Sequence, residues 1–225
     1  MHFIVDKKLK IIFGWSAKCG CSHIKKIFWF LQNNKTNNKI HTVKERLILP
    51  NDIENYTTIL IIRNPYERII SGFLNKYNKI GELRPLWKSK TLTFTEFTDE
   101  LIKNKWEKVD KHHFTPQTTE SFDKNIILKS KSLKIYDITN IDYKYIEELY
   151  NNIKIPKELL EFKGGHEKKS FNKFFENYVY DLDIMEYYDY NVDKKYFYND
   201  DIKNKIYNFY KNDFIFFKEY GFDYS

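Results

Sequence analysis

The stretch LKIIFGWSAKCGCSHIKKIFWFLQ, residues 9–32, decides the fold of this chain. Residues 9–13 form a short apolar run bounded by charge and by Gly14, which is typical of a buried strand. Apolar residues then recur at helical spacing, at Ile24, Ile27, Phe28 and Leu31. They predict a helix that Ser22 caps and that runs to about Gln32. Between the strand and the helix lies a turn of small residues that contains one lysine.

A second strand and helix are predicted around the stretch TTILIIRNP, residues 57–65. Residues 59–62 are apolar and mostly β-branched, and the run ends at Asn64 and Pro65 because proline cannot continue the strand pairing. A helix is predicted from Tyr66. Further strands are predicted at 126–128 and 133–138, and further helices at 94–104, 143–152 and 202–220. The repeated order of strand, turn and helix is typical of a mostly parallel sheet, so the predicted fold class is α/β.

The composition indicates a globular protein with a preference for anions. With 225 residues, the chain is expected to form a single domain over residues 1–225. Hydrophobic residues make up 42% and charged residues 31%, which argues against a disordered chain. The net charge is +7 (38 − 31), which favours a nucleotide, a nucleic acid or an acidic polymer as partner. A lysine-rich solvated surface would give the same charge.

The cysteines and the apolar segments bear on the compartment. Cys19 and Cys21 are separated by one residue, which fits neither a relaxed disulfide nor a zinc knuckle, so reduced thiols are expected. The N-terminal residues MHFIVDKKLK lack the apolar core of a signal peptide. No stretch of the sequence approaches the roughly 18 to 20 consecutive apolar residues of a membrane span. A cytoplasmic protein is therefore expected.

The turn after the first strand has the features of an anion site. A strand that leads through small residues into a helix presents backbone N–H groups and the positive end of the helix dipole. A P-loop for nucleoside triphosphates reads G-x-x-x-x-G-K-[ST], whereas Lys18 here precedes Gly20, and Cys21 stands at the position of the motif's lysine. Lys18 would therefore reach a different atom of the anion, which suits a charge that stabilises a leaving-group oxygen. A surface lysine beside a generic turn is the alternative.

The second loop, RNPYERIISGF at residues 63–73, offers a second anion contact. Arg63 ends the predicted strand, and Ser71 lies on the helix that follows. An arginine and a hydroxyl that converge on one phosphate would bind it well, since arginine gives bidentate, charge-assisted hydrogen bonds. Arg68 is predicted to be a surface or ion-pair residue.

Together, SAKCGCSHIKKIFW (residues 16–29) and IIRNPYERIISGF (residues 61–73) resemble the two cofactor-binding motifs of sulfotransferases. The resemblance is closest to the carbohydrate branch, which includes chondroitin, dermatan and heparan 2-O-sulfotransferases. The family patterns are P-K-x-[AG]-[CGS]-[ST]-[ST] for the 5′-phosphosulfate and R-[ND]-P-x-x-R-x-x-S-x-[FY] for the 3′-phosphate. The second match is nearly complete, whereas the first has Ala17 in place of proline and a Cys-Gly-Cys turn after the lysine.

This resemblance implies a P-loop-like, three-layer α/β fold and the donor 3′-phosphoadenosine 5′-phosphosulfate, with 3′-phosphoadenosine 5′-phosphate as product and no metal. By position, Lys18 would contact the sulfonate and the bridging oxygen, and Arg63 and Ser71 would hold the 3′-phosphate. The 5′-phosphosulfate would lie against Ala17, Lys18, Cys19, Gly20, Cys21, Ser22 and His23. Lys169 and Ser170 stand where a late loop of the family often closes over the nucleotide.

Sulfonate transfer to a hydroxyl also needs in-line attack and a base that takes the acceptor's proton, and histidine has a suitable pKa. His41 lies between the two motifs, where the heparan 2-O branch places its base, and it is the first candidate. His113 is the alternative. It opens HFTPQ, residues 113–117, which is similar to the H-[WF]-x-P-Q turn of the chondroitin branch. Carboxylates such as Glu45 and Asp110 stay open as bases.

The predicted function is therefore in-line transfer of sulfonate to a hydroxyl acceptor, in particular a glycan. No nucleic-acid partner is expected. One alternative is a P-loop-type nucleotide kinase, which would bind ATP in a magnesium-dependent way. The other is a non-catalytic basic module that binds nucleic acid or a sulfated polymer, with an affinity that falls steeply as salt rises.

Overall fold

A computed structural model of the chain describes residues 1–37, 49–78, 81–87, 91–118, 127–161 and 172–224. The described residues group into two compact units, each with its own apolar core. The first unit takes its residues from Met1–Arg63 and Gln117–Glu167, and the second from Asn64–Pro116 and Lys168–Ser225. The single domain over residues 1–225 stays a prediction.

The helices and strands of the described residues are numbered in chain order. The strands are β1 (His2–Asp6), β2 (Ile11–Trp15), β3 (Thr57–Ile62), β4 (Ser132–Asp137), β5 (Phe174–Phe175) and β6 (Asn191–Val192). The α-helices are α1 (Cys21–Asn33), α2 (Pro65–Lys76), α3 (Phe94–Ile102), α4 (Lys111–Phe114), α5 (Tyr143–Leu149), α6 (Lys157–Leu160), α7 (Ile184–Tyr187), α8 (Asp200–Phe209) and α9 (Lys211–Glu219). Short 3-10 helices lie at Ile53–Asn55, Arg84–Leu86 and Lys194–Phe197.

The first unit is built around a four-stranded sheet in the order β1-β2-β3-β4. Strand β1 is antiparallel to β2, whereas β2, β3 and β4 are parallel to one another. Every residue of β2 is buried, as expected for an inner strand covered on both faces. Helix α1 packs against the core of this unit, where the rings of Phe13 and Phe28 meet edge to face at 6.1 Å. The predicted α/β class, with a mostly parallel sheet flanked by helices, is confirmed.

The structure confirms most of the predicted strands and corrects one. The strand predicted at residues 9–13 lies two residues later, as β2, and those predicted at 59–62 and 133–138 correspond to β3 and β4. The strand predicted at 126–128 is wrong at its described residues, since Ile127 is helical and the exposed Leu128 lies in a turn. The N–H of Ser130 donates to the carbonyl of Ile127 at 3.0 Å and closes this turn.

The helix predicted at residues 202–220 is divided into two helices, α8 and α9. The break falls at Tyr210, whose φ of −99° and ψ of 20° depart from helical values. The hydrophobic pattern runs on through this residue because the aromatic ring of Tyr210 is itself buried. The spacing of apolar residues shows which side of a helix is buried, but it does not show a break in the helix at a residue that is itself buried.

The second unit is mainly helical, and its core is aromatic. The ring centroid of Phe97 lies 5.0 Å from that of Phe73 and 4.9 Å from that of Phe114. Gly72 on α2 meets the same cluster, because a Cβ at this position would lie 2.5 Å from Cε1 of Phe114. The glycine that follows Ser71 in the second motif is therefore required by packing within this unit.

Candidate functional site

The turn after β2 has an unusual backbone conformation at its lysine. Lys18 has a φ of 69° and Gly20 a φ of 75°, both in the left-handed region. Glycine adopts this region freely, whereas a residue such as lysine loses about 1 to 2 kcal/mol there. Gly20 also has no room for a side chain, since its Cβ would lie 2.8 Å from Cδ1 of Ile138. The turn is thus strained at the residue to which the sequence assigns the chemistry.

Helix α1 begins directly after this turn, with Gly20 as its N-cap residue. Ser22 was the predicted cap, and this prediction is wrong, because the helix already includes Cys21 and no described side chain caps it. Its first turn contains no acidic residue. The N–H groups of the first turn and the positive end of the dipole therefore face the turn, and no carboxylate of the helix's own first turn competes for them. This arrangement fits an anion such as a phosphosulfate.

Arg63 follows β3 and reaches the lysine turn. Its Nη1 donates a hydrogen bond of 3.2 Å to the carbonyl oxygen of Lys18, which lies 45 residues earlier in the chain. Strands β2 and β3 are adjacent and parallel, so the segments that follow them leave the same edge of the sheet. The structure thus brings together the lysine of the first motif and the arginine of the second.

Gln117 joins the same network, and the sequence assigned it no role beyond its place in HFTPQ. Its side chain is fully buried. Its Oε1 accepts from the N–H of Arg63 at 3.1 Å and from Sγ of Cys19 at 3.0 Å, while its Nε2 donates to the carbonyl of Arg63 at 2.7 Å. Apart from its place in HFTPQ, no local signal singles it out, because its neighbours in the sequence, such as Thr115 and Thr118, are polar as well.

His23, the third residue of α1, lies on the buried side of the helix. Its Nε2 is 2.7 Å from the phenol oxygen of Tyr143 on α5, and burial raises the pKa of Tyr143. The predicted nucleotide contact of His23 stays a prediction. The two cysteines are free thiols, as expected, with Cys19 buried and Cys21 half-buried.

In the second unit, Ser71 is half-buried on α2. Arg68, on the same helix, is only 2% exposed, so the surface position predicted for it is wrong, while the alternative of an ion-pair residue stays a prediction. Its Nη1 donates to the carbonyl of Thr115 at 2.9 Å and its Nη2 to that of His113 at 3.0 Å. The second arginine of the motif therefore holds the backbone of the HFTPQ segment.

His113, the alternative base, is paired with Asp110 within this unit. Its Nδ1 contacts Oδ2 of Asp110, and the same oxygen accepts the backbone N–H of His113 at 3.2 Å and so caps α4. Burial lowers the pKa of His113 to about 4, although Asp110 opposes this shift. The imidazole is neutral at pH 7 and oriented by a carboxylate, so it has a form that can accept a proton.

Several predicted site residues lie outside the described residues. They are the first candidate base, His41, the carboxylate Glu45, and the late-loop residues Lys169 and Ser170. Their roles stay predictions.

A sequence model of the sulfotransferase family matches residues 1–221, nearly the whole chain. The chain belongs to the sulfotransferase family. It is therefore a sulfotransferase, and the P-loop-like fold implied by the two motifs is consistent with this family. The assignment replaces the nucleotide kinase and the non-catalytic basic module as alternatives. No curated protein and no solved structure gives a significant match.

Among the described residues, no group of three or more His, Cys, Asp or Glu side chains is placed to hold a metal ion. None of the helices in the described part of the chain is both long and apolar enough to cross a bilayer.

Proposed function

We propose that this sulfotransferase moves the sulfonate of 3′-phosphoadenosine 5′-phosphosulfate to a hydroxyl group of a carbohydrate or another hydroxylated acceptor. The observation that carries the proposal is the bond from Arg63 to the carbonyl of Lys18, which unites residues of both motifs in the first unit. The sulfotransferase family generally uses this donor. The carbohydrate acceptor rests on the resemblance of the two motifs to the carbohydrate branch.

The 5′-phosphosulfate is assigned to the turn after β2 and the start of α1, at residues 17–23. Backbone N–H groups of the first helical turn would bind the anionic oxygens, and the dipole of a 13-residue helix favours negative charge there. Gly20 allows the left-handed backbone of this turn and its close packing against Ile138, because it has no side chain. The donor supplies a sulfonate activated by its bond to a phosphate.

Lys18 is assigned to the oxygen that the sulfonate leaves. Negative charge develops on this oxygen during transfer, and an ammonium placed beforehand stabilises that charge more than it stabilises the ground state. The left-handed backbone at Lys18 is compatible with this role, but Lys10, which has no assigned role, adopts the same conformation.

The 3′-phosphate is assigned to Arg63 and Ser71 from their positions in the second motif. A guanidinium binds phosphate through two parallel hydrogen bonds, and a hydroxyl adds a third. Arg63 belongs to the first unit and Ser71 to α2 of the second, and the assignment of Ser71 depends on the motif alone.

The base is assigned to His41, with His113 as the alternative. A pKa of about 4 keeps His113 neutral at pH 7 but makes it a weak base, whereas general-base catalysis is most efficient with a pKa near the working pH. Asp110, another predicted base, caps α4 and pairs with His113. These contacts favour His41.

A binding test decides the donor. We expect 3′-phosphoadenosine 5′-phosphate to raise the melting temperature, whereas ATP with magnesium should leave it unchanged, because a ligand stabilises only a protein that binds it. Transfer of labelled sulfonate to a panel of glycans then tests the acceptor. Stabilisation by ATP but not by the bisphosphate would contradict the proposal.

A further inference from the structure

We propose that Gln117 is a positioning residue for the transfer reaction, because its amide fixes the backbone segments that carry Lys18 and Arg63. The catalytic part of this inference rests on the function proposed above. Gln117 has no assigned contact with the donor or the acceptor, so it would act only through these two residues.

Along β3, the backbone N–H and carbonyl groups bind a neighbouring strand. At Arg63, directly after β3, the side-chain amide of Gln117 takes the place of that strand. The last ladder bond on this side runs from the N–H of Ile138 to the carbonyl of Ile62, at 2.9 Å. One residue later, both backbone polar groups of Arg63 bind the side chain of Gln117 instead, at 3.1 and 2.7 Å. The backbone of Arg63 is therefore held in place by Gln117 just beyond the strand.

The same amide also reaches the lysine turn. Its Oε1 accepts from Sγ of Cys19, the residue directly after Lys18. On the other side, Nη1 of Arg63 binds the carbonyl of Lys18. Two hydrogen bonds thus restrain the left-handed backbone of Lys18, one at its own carbonyl and one at the side chain of Cys19. The first comes from Arg63, which Gln117 binds, and the second goes to Gln117 itself.

Full burial makes these bonds hard to replace. Gln117 is 0% exposed, so water does not readily take the place of a lost partner. If the amide were removed, the backbone N–H and carbonyl of Arg63 would lose these two hydrogen bonds, which would allow the backbone of Arg63 to shift. Displacing a catalytic group by about 1 Å can cost about 100-fold in rate. We therefore expect an effect on turnover that exceeds the effect on stability.

The test compares Gln117→Met with Thr58→Val. Methionine keeps the volume of glutamine but offers neither the donor nor the strong acceptor. Thr58 is a matched control, because it is as buried as Gln117 and its hydroxyl bonds Oγ of Ser130 at 2.8 Å. It lies near the start of β3, whereas Gln117 binds Arg63, which follows the end of β3. Gln117→Met removes the hydrogen bonds to Arg63 and Cys19, and Thr58→Val removes the one to Ser130. Only the first variant touches the lysine turn.

Four quantities are measured for the full chain: the melting temperature, kcat and KM for sulfonate transfer, and the hydrogen-exchange rate of the Arg63 amide. For Gln117→Met we expect kcat to fall about 10- to 100-fold and the Arg63 amide to exchange faster. Thr58→Val should lower the melting temperature by a similar amount while kcat stays within about twofold of wild type. Equal kcat in the two variants, or an Arg63 amide that stays protected in Gln117→Met, would overturn the proposal.

A second variant covers the case in which Gln117→Met does not fold. Gln117→Glu, assayed at about pH 8 to favour the carboxylate, keeps an oxygen that can accept from Arg63 and Cys19 and loses the donor to the carbonyl of Arg63. We expect a smaller fall in kcat, of about 3- to 10-fold, with the Arg63 amide still protected. Wild-type kcat in this variant would overturn the proposal.

The failure of this inference can be told apart from the failure of the proposed function. If the wild-type chain neither binds 3′-phosphoadenosine 5′-phosphate nor transfers sulfonate, the proposed function is wrong. The exchange rate of the Arg63 amide then still decides whether Gln117 holds this segment, since that measurement needs neither donor nor acceptor.

Discussion

Each of the two units fixes a motif-bearing segment with one buried polar side chain, but the two side chains differ in charge. In the first unit, the neutral amide of Gln117 holds the backbone of Arg63. In the second unit, the charged guanidinium of Arg68 holds the carbonyls of His113 and Thr115. Burial of a charge costs far more than burial of an amide, and only its partners offset that cost. We therefore expect changes in the second unit to affect mainly stability, and changes at the turn of the first unit to affect mainly rate.

The largest expected effect is on stability, from Arg68→Met. The two carbonyls would each lose a charge-assisted hydrogen bond, so the free energy of unfolding should fall by about 4 kcal/mol. Urea denaturation followed by circular dichroism measures it. Lys111→Met is the matched control, since Lys111 is an exposed cation of the same segment, and its effect should stay within about 0.5 kcal/mol. If Arg68→Met lowers the free energy of unfolding no more than Lys111→Met does, the proposed difference between the two units is wrong.

The next effect is a dependence of stability on pH that comes from His113. Its pKa falls from 6.5 to about 4 on folding because burial disfavours the imidazolium, so the unfolded chain binds the proton more readily. The stabilisation is complete above pH 6.5 and is lost as the pH falls toward 4, with a total of about 3 kcal/mol. Asp110, Lys76 and His112 also act on this imidazole.

His113→Gln isolates this contribution. The stability difference between pH 7 and pH 4, measured by urea denaturation at each pH, should be about 2 to 3 kcal/mol smaller in the variant than in wild type. Parallel pH profiles for the two proteins would show that His113 does not titrate in this way.

In the first unit, Lys18→Ala should lower kcat by about 100-fold or more, with a much smaller change in donor binding, because the ammonium acts mainly in the transition state. Lys10→Ala is a close control. Lys10 is also a lysine with a left-handed backbone, at a φ of 56°, and its ion pair with Asp52 lies near the surface. Both variants place alanine in the same strained region, so a fall in kcat for Lys18→Ala alone assigns the loss to the ammonium. Similar values of kcat in the two would contradict the role of Lys18.

The smallest effect is expected from Gly72→Ala, which places a methyl group against Phe114. The crowding should cost about 1 to 2 kcal/mol even though alanine favours the helix. The double variant with Phe114→Leu tests the cause, since a smaller side chain relieves the contact. Calorimetry of the single and double variants should then show a coupling energy of about 1 kcal/mol, and additive losses would argue against the contact.

The sequence predicted those parts of the fold that local pattern records. Strands β2, β3 and β4 are short apolar runs with clear ends, and α1 and α2 have helical spacing, so all five were found within two or three residues. Strand β1 was missed because HFIVD runs directly into charged residues, and its burial depends on an antiparallel partner. The two-residue strands β5 and β6 are too short to give a period.

The candidate site was predicted in the same uneven way. Lys18 and Arg63 were found because each lies in a motif at the end of a predicted strand. The roles of Gln117 and Arg68 were missed because their partners lie 54 and 45 to 47 residues away in the chain. No local period reports a hydrogen bond over such a distance. The N-cap of α1 was predicted at Ser22 and lies at Gly20. The helix starts there because the preceding turn gives Gly20 a left-handed backbone, which the helical spacing of apolar residues does not show.

The position of Gln117 along the chain also sets an order of events during synthesis. Arg63 leaves the ribosome 54 residues before Gln117, which corresponds to about 3 to 11 seconds at 5 to 20 residues per second. During that interval a nascent chain contains both motifs but lacks the amide that ties Arg63 to Cys19. We therefore expect the lysine turn to reach its final shape only after the middle of the chain has been made, and an N-terminal fragment that ends before Gln117 to contain both motifs without these hydrogen bonds.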